Sequence, residues 1–162
     1  MWRIYSRWYV KTTRVDERAY YCGSGKRIVT ACADGTLIYW DPRSPTPIFK
    51  LTSQDARFDL ASITSLAINP SSTLAVVGGA IGSIRIVSLS KGEVVGALGG
   101  HTEGESVEMV QFVDLSGTAS GPGVVVSGGT DGKACIWDVS TMRLRATVEH
   151  QVNFTGFFPC SV

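Results

Sequence analysis

The stretch VVSGGTDGKACIWD, residues 125–138, contains two apolar runs separated by the dipeptide Asp131-Gly132. Asp-Gly between two apolar runs is the strongest short-range signal for a β-hairpin. The tight turn favoured there needs positive φ at its central residues, which Gly and Asp tolerate. The stretch therefore predicts two antiparallel strands joined by a two-residue turn.

The same pattern occurs three times along the chain. Residues 28–41 and 75–88 repeat it, and the turn glycines of the three copies, Gly35, Gly82 and Gly132, are 47 and 50 residues apart. In the first and third copies the dipeptide Trp-Asp begins six residues after the first turn residue. The second copy has the same spacing, with Val87-Ser88 in place of Trp-Asp. A register kept three times indicates an internal repeat, and periods of about 40–50 residues are typical of repeat architectures.

Further strand candidates flank the hairpins. Residues 63–68 and 107–112, upstream of the second and third hairpins, combine apolar and polar side chains, and we interpret them as half-buried antiparallel strands. Residues 47–51, 94–98 and 144–148 follow the three hairpins. No helical period is present in the sequence. Each unit is therefore predicted to contain four short antiparallel strands, of which the first unit lacks the upstream one.

Gly100-His101 opens the third copy, Trp137-Asp138 ends its third strand, and Trp40-Asp41 ends that of the first copy. With four strands per repeat, these dipeptides make residues 25–150 resemble the WD40-repeat family of β-propellers. The resemblance implies an all-β fold, a partial propeller of about three four-stranded antiparallel blades, the first of them incomplete. Propellers close with about 4–8 blades, so we expect this one not to be closed.

The repeat divides the chain into blades and ends. We expect a partial blade at 25–52, a degenerate blade at 61–99 and a complete blade at 100–150. The head, 1–24, and the tail, 151–162, match no blade, and we expect residues 1–22 and 152–162 to be poorly ordered. The chain is interpreted as a fragment of a longer protein, or as one whose ends are misjoined.

The WD40 resemblance also implies a structural hydrogen-bond network in each blade, made by a His, a hydroxyl, a turn Asp and a Trp indole. In the third copy these residues are His101, Ser127, Asp131 and Trp137, and the donor and acceptor groups of these side chains fit one another. The first copy keeps Thr30, Asp34 and Trp40 without an upstream His. The middle copy has Val77, Ile81 and Val87 at these positions and has lost the network.

The composition argues against several classes of function. Cys22, Cys32, Cys135 and Cys160 lie far apart, and with only two histidines in the chain no spacing suits a metal site. No nucleophile–base pair or phosphate-binding loop is present, so we expect no enzyme and no cofactor. No apolar run is long enough to span a membrane. Residues 1–27 carry a net charge of +5 and residues 28–162 a net charge of −4, which disfavours direct binding of the repeats to nucleic acid.

A protein-interaction scaffold is the function that the family resemblance implies. The amino-acid sequence of residues 63–69, 89–96 and 100–108 is similar to that of one WD-repeat family, the angio-associated migratory cell protein and its fungal relatives. That resemblance implies a cytoplasmic, and also nuclear, chaperone for a basic ribosomal protein in large-subunit assembly. The alternative is a generic WD-repeat adaptor in signalling, trafficking or ubiquitin transfer.

Acidic residues occupy the two segments that join one blade to the next. They are Asp55 and Asp59 in the first segment and Glu103, Glu105 and, just inside the following strand, Glu108 in the second, with Arg57 as the only opposing charge. In WD40 propellers these segments lie on the face that usually binds partners. We therefore expect a basic, Lys/Arg-rich segment of a partner protein to bind there.

Overall fold

The computed structural model describes the backbone of residues 17–22 and all atoms of residues 26–113 and 123–150. Within these ranges the chain forms β-strands and no helix. The strands belong to three antiparallel sheets. Sheet 1 contains β1 (Glu17–Cys22), β2 (Arg27–Cys32), β3 (Leu37–Trp40) and β4 (Phe49–Leu51); sheet 2 contains β5 (Ile63–Ile68), β6 (Leu74–Gly79), β7 (Ile84–Ser88) and β8 (Glu93–Leu98); sheet 3 contains β9 (Met109–Val113), β10 (Val124–Gly128), β11 (Lys133–Asp138) and β12 (Arg143–Glu149).

Each sheet is a meander, in which strands that follow one another in the chain are hydrogen-bonded neighbours. The first strand of sheet 2, β5, contacts the first strands of both other sheets, β1 and β9. These first strands form the inner line of the assembly, and the last strands, β4, β8 and β12, are the far edges of their sheets. The prediction of an all-β fold with about three antiparallel blades, not closed into a ring, is confirmed.

The prediction that the first blade is incomplete is wrong. Strand β1 pairs with β2 along its whole length, from Glu17 opposite Cys32 to Cys22 opposite Arg27. The sequence places residues 17–22 in the poorly ordered, non-propeller head, because the charged run 14–18 stands where a strand and a Gly-His signal are expected. Pairing in a sheet uses main-chain groups, and the two tyrosines of this segment favour strands. The other residues of the head and all of the tail lie outside the described ranges.

The three hairpins lie where the sequence placed them, but their turns are not two-residue turns. The N–H of Gly35 donates to the carbonyl of Cys32 at 3.1 Å, and the N–H of Cys32 donates to the carbonyl of Thr36 at 2.9 Å. Gly35 has a φ of +78°, whereas Asp34 is not in the positive-φ region. This is the three-residue hairpin loop, a turn followed by a left-handed glycine. The Asp side chain is used instead to accept the N–H of Thr36 at 2.9 Å.

Strand β9 begins at Met109, two residues later than the sequence predicts. The N–H of Val107 donates to the carbonyl of Gly79 at 3.0 Å. The carbonyl of Val107 accepts the hydroxyls of Thr64, at 2.6 Å, and Ser65, at 2.8 Å. The main-chain groups of Val107 therefore bond to sheet 2 and not to β10. For this reason the strand starts later than the apolar residues of the sequence suggest.

Two hydrophobic clusters hold the sheets together. The first lies between sheets 1 and 2 and the second between sheets 2 and 3. Phe58 and Leu60 of the segment between β4 and β5 are fully buried in the first cluster, and burial of such side chains stabilises by about 1.5–3 kcal/mol each. Trp137 is buried in the second cluster. The segment that crosses between sheets 1 and 2 is therefore part of the core.

The contact between the first hairpin turn and this crossing segment is testable at Gly35. A Cβ there would lie 2.0 Å from the carbonyl oxygen of Leu60, while Gly104, with a φ of +87°, has open space around it. Gly104→Ala should lower the free energy of unfolding by about 1–2 kcal/mol through backbone strain alone. Gly35→Ala should lose about 1–3 kcal/mol more, since the loop must move. Urea melts measure both, and equal losses would contradict the contact.

Candidate functional site

The hairpin turns and the segments that cross between sheets lie at the same end of the strands. We call this end the loop face; it comprises residues 33–36, 52–62, 80–83, 99–108 and 129–133. A Cβ on Gly82 would meet the carbonyl of Thr102 at 2.6 Å, as one on Gly35 would meet that of Leu60. The turns of sheets 1 and 2 thus each pack against the crossing segment that follows their sheet in the chain.

In sheet 3 the turn and the crossing segment are joined by the side chains that the WD40 resemblance singled out. The indole N–H of Trp137 donates to Oγ of Ser127 at 3.0 Å. Oγ of Ser127 lies 2.8 Å from Nε2 of His101, and Nδ1 of His101 lies 3.0 Å from Oδ1 of Asp131. If the Ser127 hydroxyl donates to Nε2 and Nδ1–H donates to Asp131, every donor has one acceptor.

Asp131 also binds main-chain groups on both sides of this junction. Its Oδ2 accepts the N–H of Thr102 at 2.8 Å, and its Oδ1 accepts the N–H of Lys133 at 3.1 Å. Burial disfavours the carboxylate, but the hydrogen bonds from Thr102, His101 and Lys133 outweigh it and hold the pKa of Asp131 below its ordinary value. The His101 side chain is 0% exposed. These contacts anchor the crossing segment 99–108 to sheet 3.

Sheets 1 and 2 depart from this arrangement as the sequence indicated. In sheet 1 the indole N–H of Trp40 donates to Oγ1 of Thr30 at 3.0 Å, and Asp34 is exposed at the turn. In sheet 2 Val77 and Val87 are fully buried and belong to the first hydrophobic cluster. Ile81, at the position of the turn Asp, is 49% exposed.

The acidic residues of the loop face are of two kinds. The carboxylate of Asp55 accepts the N–H of Thr52 at 2.6 Å, and that of Glu105 accepts the hydroxyl of Thr130 at 2.7 Å, so both help to shape their own segments. Asp59 and Glu103 are exposed, and neither carboxylate has a hydrogen bond or ion pair with a described residue. Glu108, the residue before β9, is partly exposed.

The sequence did not reveal all the cations near these carboxylates. Nζ of Lys133 lies 3.2 Å from Oγ1 of Thr102, and Nε of Arg85 donates to the main-chain carbonyl of Arg57 at 3.1 Å. Arg57 is therefore not the only opposing charge at the loop face. Lys133 and Arg85 both closely follow a turn glycine in the sequence. Their position near the acidic segments could be recognised only from the packing of those segments against the turns.

The described residues include no group of three or more His, Cys, Asp or Glu side chains arranged to hold a metal ion. No helix long and apolar enough to cross a membrane is found in the described part of the chain.

Comparison with known proteins agrees with the fold. The family model described as WD domain, G-beta repeat, matches residues 13–41 and 92–138. These two stretches match WD40 repeats, and the chain resembles the WD40-repeat proteins. The first match covers strand β1, which supports a complete first blade. WD-repeat proteins are generally interaction scaffolds, and this family does not generally catalyse reactions.

An uncharacterised WD repeat-containing protein of Schizosaccharomyces pombe is 26% identical over 136 residues, 80% of this chain and 32% of that protein. The angio-associated migratory cell protein of Canis lupus familiaris is 31% identical over 135 residues, 78% of this chain and 30% of that protein. The chain thus spans about a third of the length of these curated relatives. The crystal structure of the RRP9 WD40 repeats matches 83% of this chain and 39% of that one, with a TM-score of 0.72 and 16% identity, which supports the fold alone.

His101→Ala tests the fastening in sheet 3. The change leaves Ser127 and Asp131 without their buried partner, so the free energy of unfolding should fall by about 1–3 kcal/mol. His150→Ala is the matched control, and its loss should be smaller because His150 is exposed. Urea melts of dilute protein measure both. Equal losses at the two histidines would show that sheet 3 is not fastened in this way.

The lowered pKa of Asp131 predicts an acid dependence of stability. A carboxyl whose pKa is lower in the folded state stabilises above its unfolded pKa, about 3.9, and loses that contribution as the pH falls through the folded value. The free energy of unfolding should therefore drop below about pH 4. Asp131→Asn should be less stable at neutral pH and lose less on acidification. Hydrogen bonds from Arg43 to Asp41 and from Ser140 to Asp138 also lower the pKa of those carboxyls, and remain in both proteins. Parallel acid profiles would contradict the assignment.

Proposed function

We propose that this chain is part of a protein-binding scaffold whose loop face binds a basic, Lys/Arg-rich segment of a partner protein. The observation that carries the proposal is the pair of exposed carboxylates, Asp59 and Glu103, on adjacent crossing segments. Neither carboxylate has a hydrogen bond or an ion pair with a described residue. An ion pair with a partner would therefore break no internal contact of these two side chains.

The construction of the loop face supports this proposal. The segment 52–62 is held by the buried side chains of Phe58 and Leu60, and the segment 99–108 is held by His101. Carboxylates on segments fixed in this way lose little conformational freedom on binding, which favours affinity. Complementary charge also raises the association rate and makes it sensitive to salt.

The partner that we propose is a basic ribosomal protein, which the chain would protect as a chaperone during large-subunit assembly in the cytoplasm, and also in the nucleus. Ribosomal proteins are basic, so an acidic face would both attract and shield such a client. The sequence similarity to the angio-associated migratory cell protein, which the second and third copies already indicate, supports a ribosomal protein as the partner. The alternative is a generic adaptor in signalling, trafficking or ubiquitin transfer, for which we find no specific observation on the loop face.

Charge reversal at Glu103 tests the proposed site. Glu103→Lys should slow the association of a Lys/Arg-rich peptide about tenfold at low salt, because one attraction becomes a repulsion. The matched control is Glu93→Lys, since Glu93 is exposed at the start of β8, at the opposite end of the strands. Stopped-flow kinetics measure the rates, and melts confirm that both variants are folded. The difference should vanish near 1 M salt, where the Debye length is about 3 Å. Equal rates for the two variants would remove this segment from the site.

Affinity purification of the full-length protein from cytosol separates the two partner classes. A chaperone should recover a basic large-subunit ribosomal protein that is not yet part of a ribosome, and Glu103→Lys should reduce that recovery. Recovery of signalling, trafficking or ubiquitin-transfer components without a ribosomal protein would favour the generic adaptor.

A further inference from the structure

The hairpin turn of sheet 2 presents an apolar side chain on the acidic face. Ile81 occupies the position that Asp131 holds in sheet 3, but it is 49% exposed, whereas the Asp131 side chain is turned inward to His101. A β-branched apolar residue is unusual at a turn, where Gly, Asn, Asp and Ser are favoured for their local hydrogen bonds. Among the described residues, the other large apolar side chains of similar exposure, Ile48, Val95, Leu144 and Val148, lie outside the loop face.

The hydrogen bonds around this turn place Ile81 between the two acidic segments. The N–H of Ala80 donates to the carbonyl of Ser62, at the end of the segment 52–62, at 3.2 Å. On the other side, the carbonyl of Gly79 accepts the N–H of Val107, at the end of the segment 99–108, at 3.0 Å. Gly82 packs against the carbonyl of Thr102, the residue before Glu103. The turn is thus attached to both segments that carry the exposed carboxylates.

The loss of the hydrogen-bond network in sheet 2 explains why the turn can carry Ile81. Val77 and Val87 replace the hydroxyl and the indole of the other sheets and are fully buried. With no polar chain to complete beneath it, the turn position has no need of a carboxylate. Its side chain is free to face outward, where it adds apolar surface between the two segments that carry the exposed carboxylates.

We propose that the loop face recognises a basic segment that also carries an apolar side chain, which packs on Ile81 while Lys or Arg residues on either side pair with Asp59 and Glu103. This inference rests on the proposed function and specifies the chemistry of the segment. An all-basic segment would satisfy the carboxylates and leave Ile81 in water. A segment with a leucine between its cations would cover Ile81 and gain the free energy of apolar burial.

Two synthetic Lys/Arg-rich peptides test this, identical except for a central leucine or serine. The leucine peptide should bind the wild-type chain about tenfold more tightly in calorimetric titrations, since burial of part of one aliphatic side chain is worth about that factor. Ile81→Ser should reduce the preference to about twofold and leave the affinity for the serine peptide unchanged. Ile48→Ser is the matched control, because Ile48 is 48% exposed in the connection between β3 and β4, at the opposite end of the strands. That variant should keep the tenfold preference.

The outcomes separate this inference from the function on which it rests. If both peptides bind with equal affinity, or if the preference for leucine survives Ile81→Ser, Ile81 is not part of the site, and the binding of basic segments stands. If neither peptide binds, the proposed function and this inference both fail.

Discussion

The structure depends on the close contact between each crossing segment and the hairpin turn of the sheet before it. A segment that leaves the outer strand of one sheet must reach the inner strand of the next, and close contacts with the turns help to hold it in place. Gly35 and Gly82 allow the carbonyls of Leu60 and Thr102 to approach, and any side chain at these glycines would collide with them. The segments that carry the exposed carboxylates are therefore fixed by the same contacts that align the sheets.

The two crossing segments are fastened by different physical means. The segment 52–62 is anchored by Phe58 and Leu60 in the core between sheets 1 and 2. The segment 99–108 is anchored by the polar chain from Trp137 through Ser127 and His101 to Asp131. A buried polar chain of this kind stabilises only when every member has a partner. The middle sheet, with valines at two of these positions, shows that apolar packing can replace it.

The hairpins and their order could be predicted from the sequence, because the turn glycines, the apolar runs and the Trp-Asp register are local signals. The network of sheet 3 was predicted only through the resemblance to WD40 repeats. Strand β1 was missed, because the charged run at 14–18 and the absence of a Gly-His signal outweighed its strand-favouring tyrosines. The turn type was also missed, since Asp-Gly is compatible with both two- and three-residue loops, and the hydrogen bonds and φ values of the structure distinguish them. Lys133, Arg85 and Ile81 became part of the candidate site only once the crossing segments were placed over the turns.

The central claim is that the two acidic segments and the turn between them form one binding surface for a basic segment. The most direct measurement is a chemical-shift titration of the ¹⁵N-labelled chain with a Lys/Arg-rich peptide. The account predicts shifts in residues 52–62, 79–83 and 99–108 together, with a common affinity, and little change at the opposite turns, residues 41–46 and 138–142. Shifts concentrated at those opposite turns, or in one crossing segment only, would contradict it.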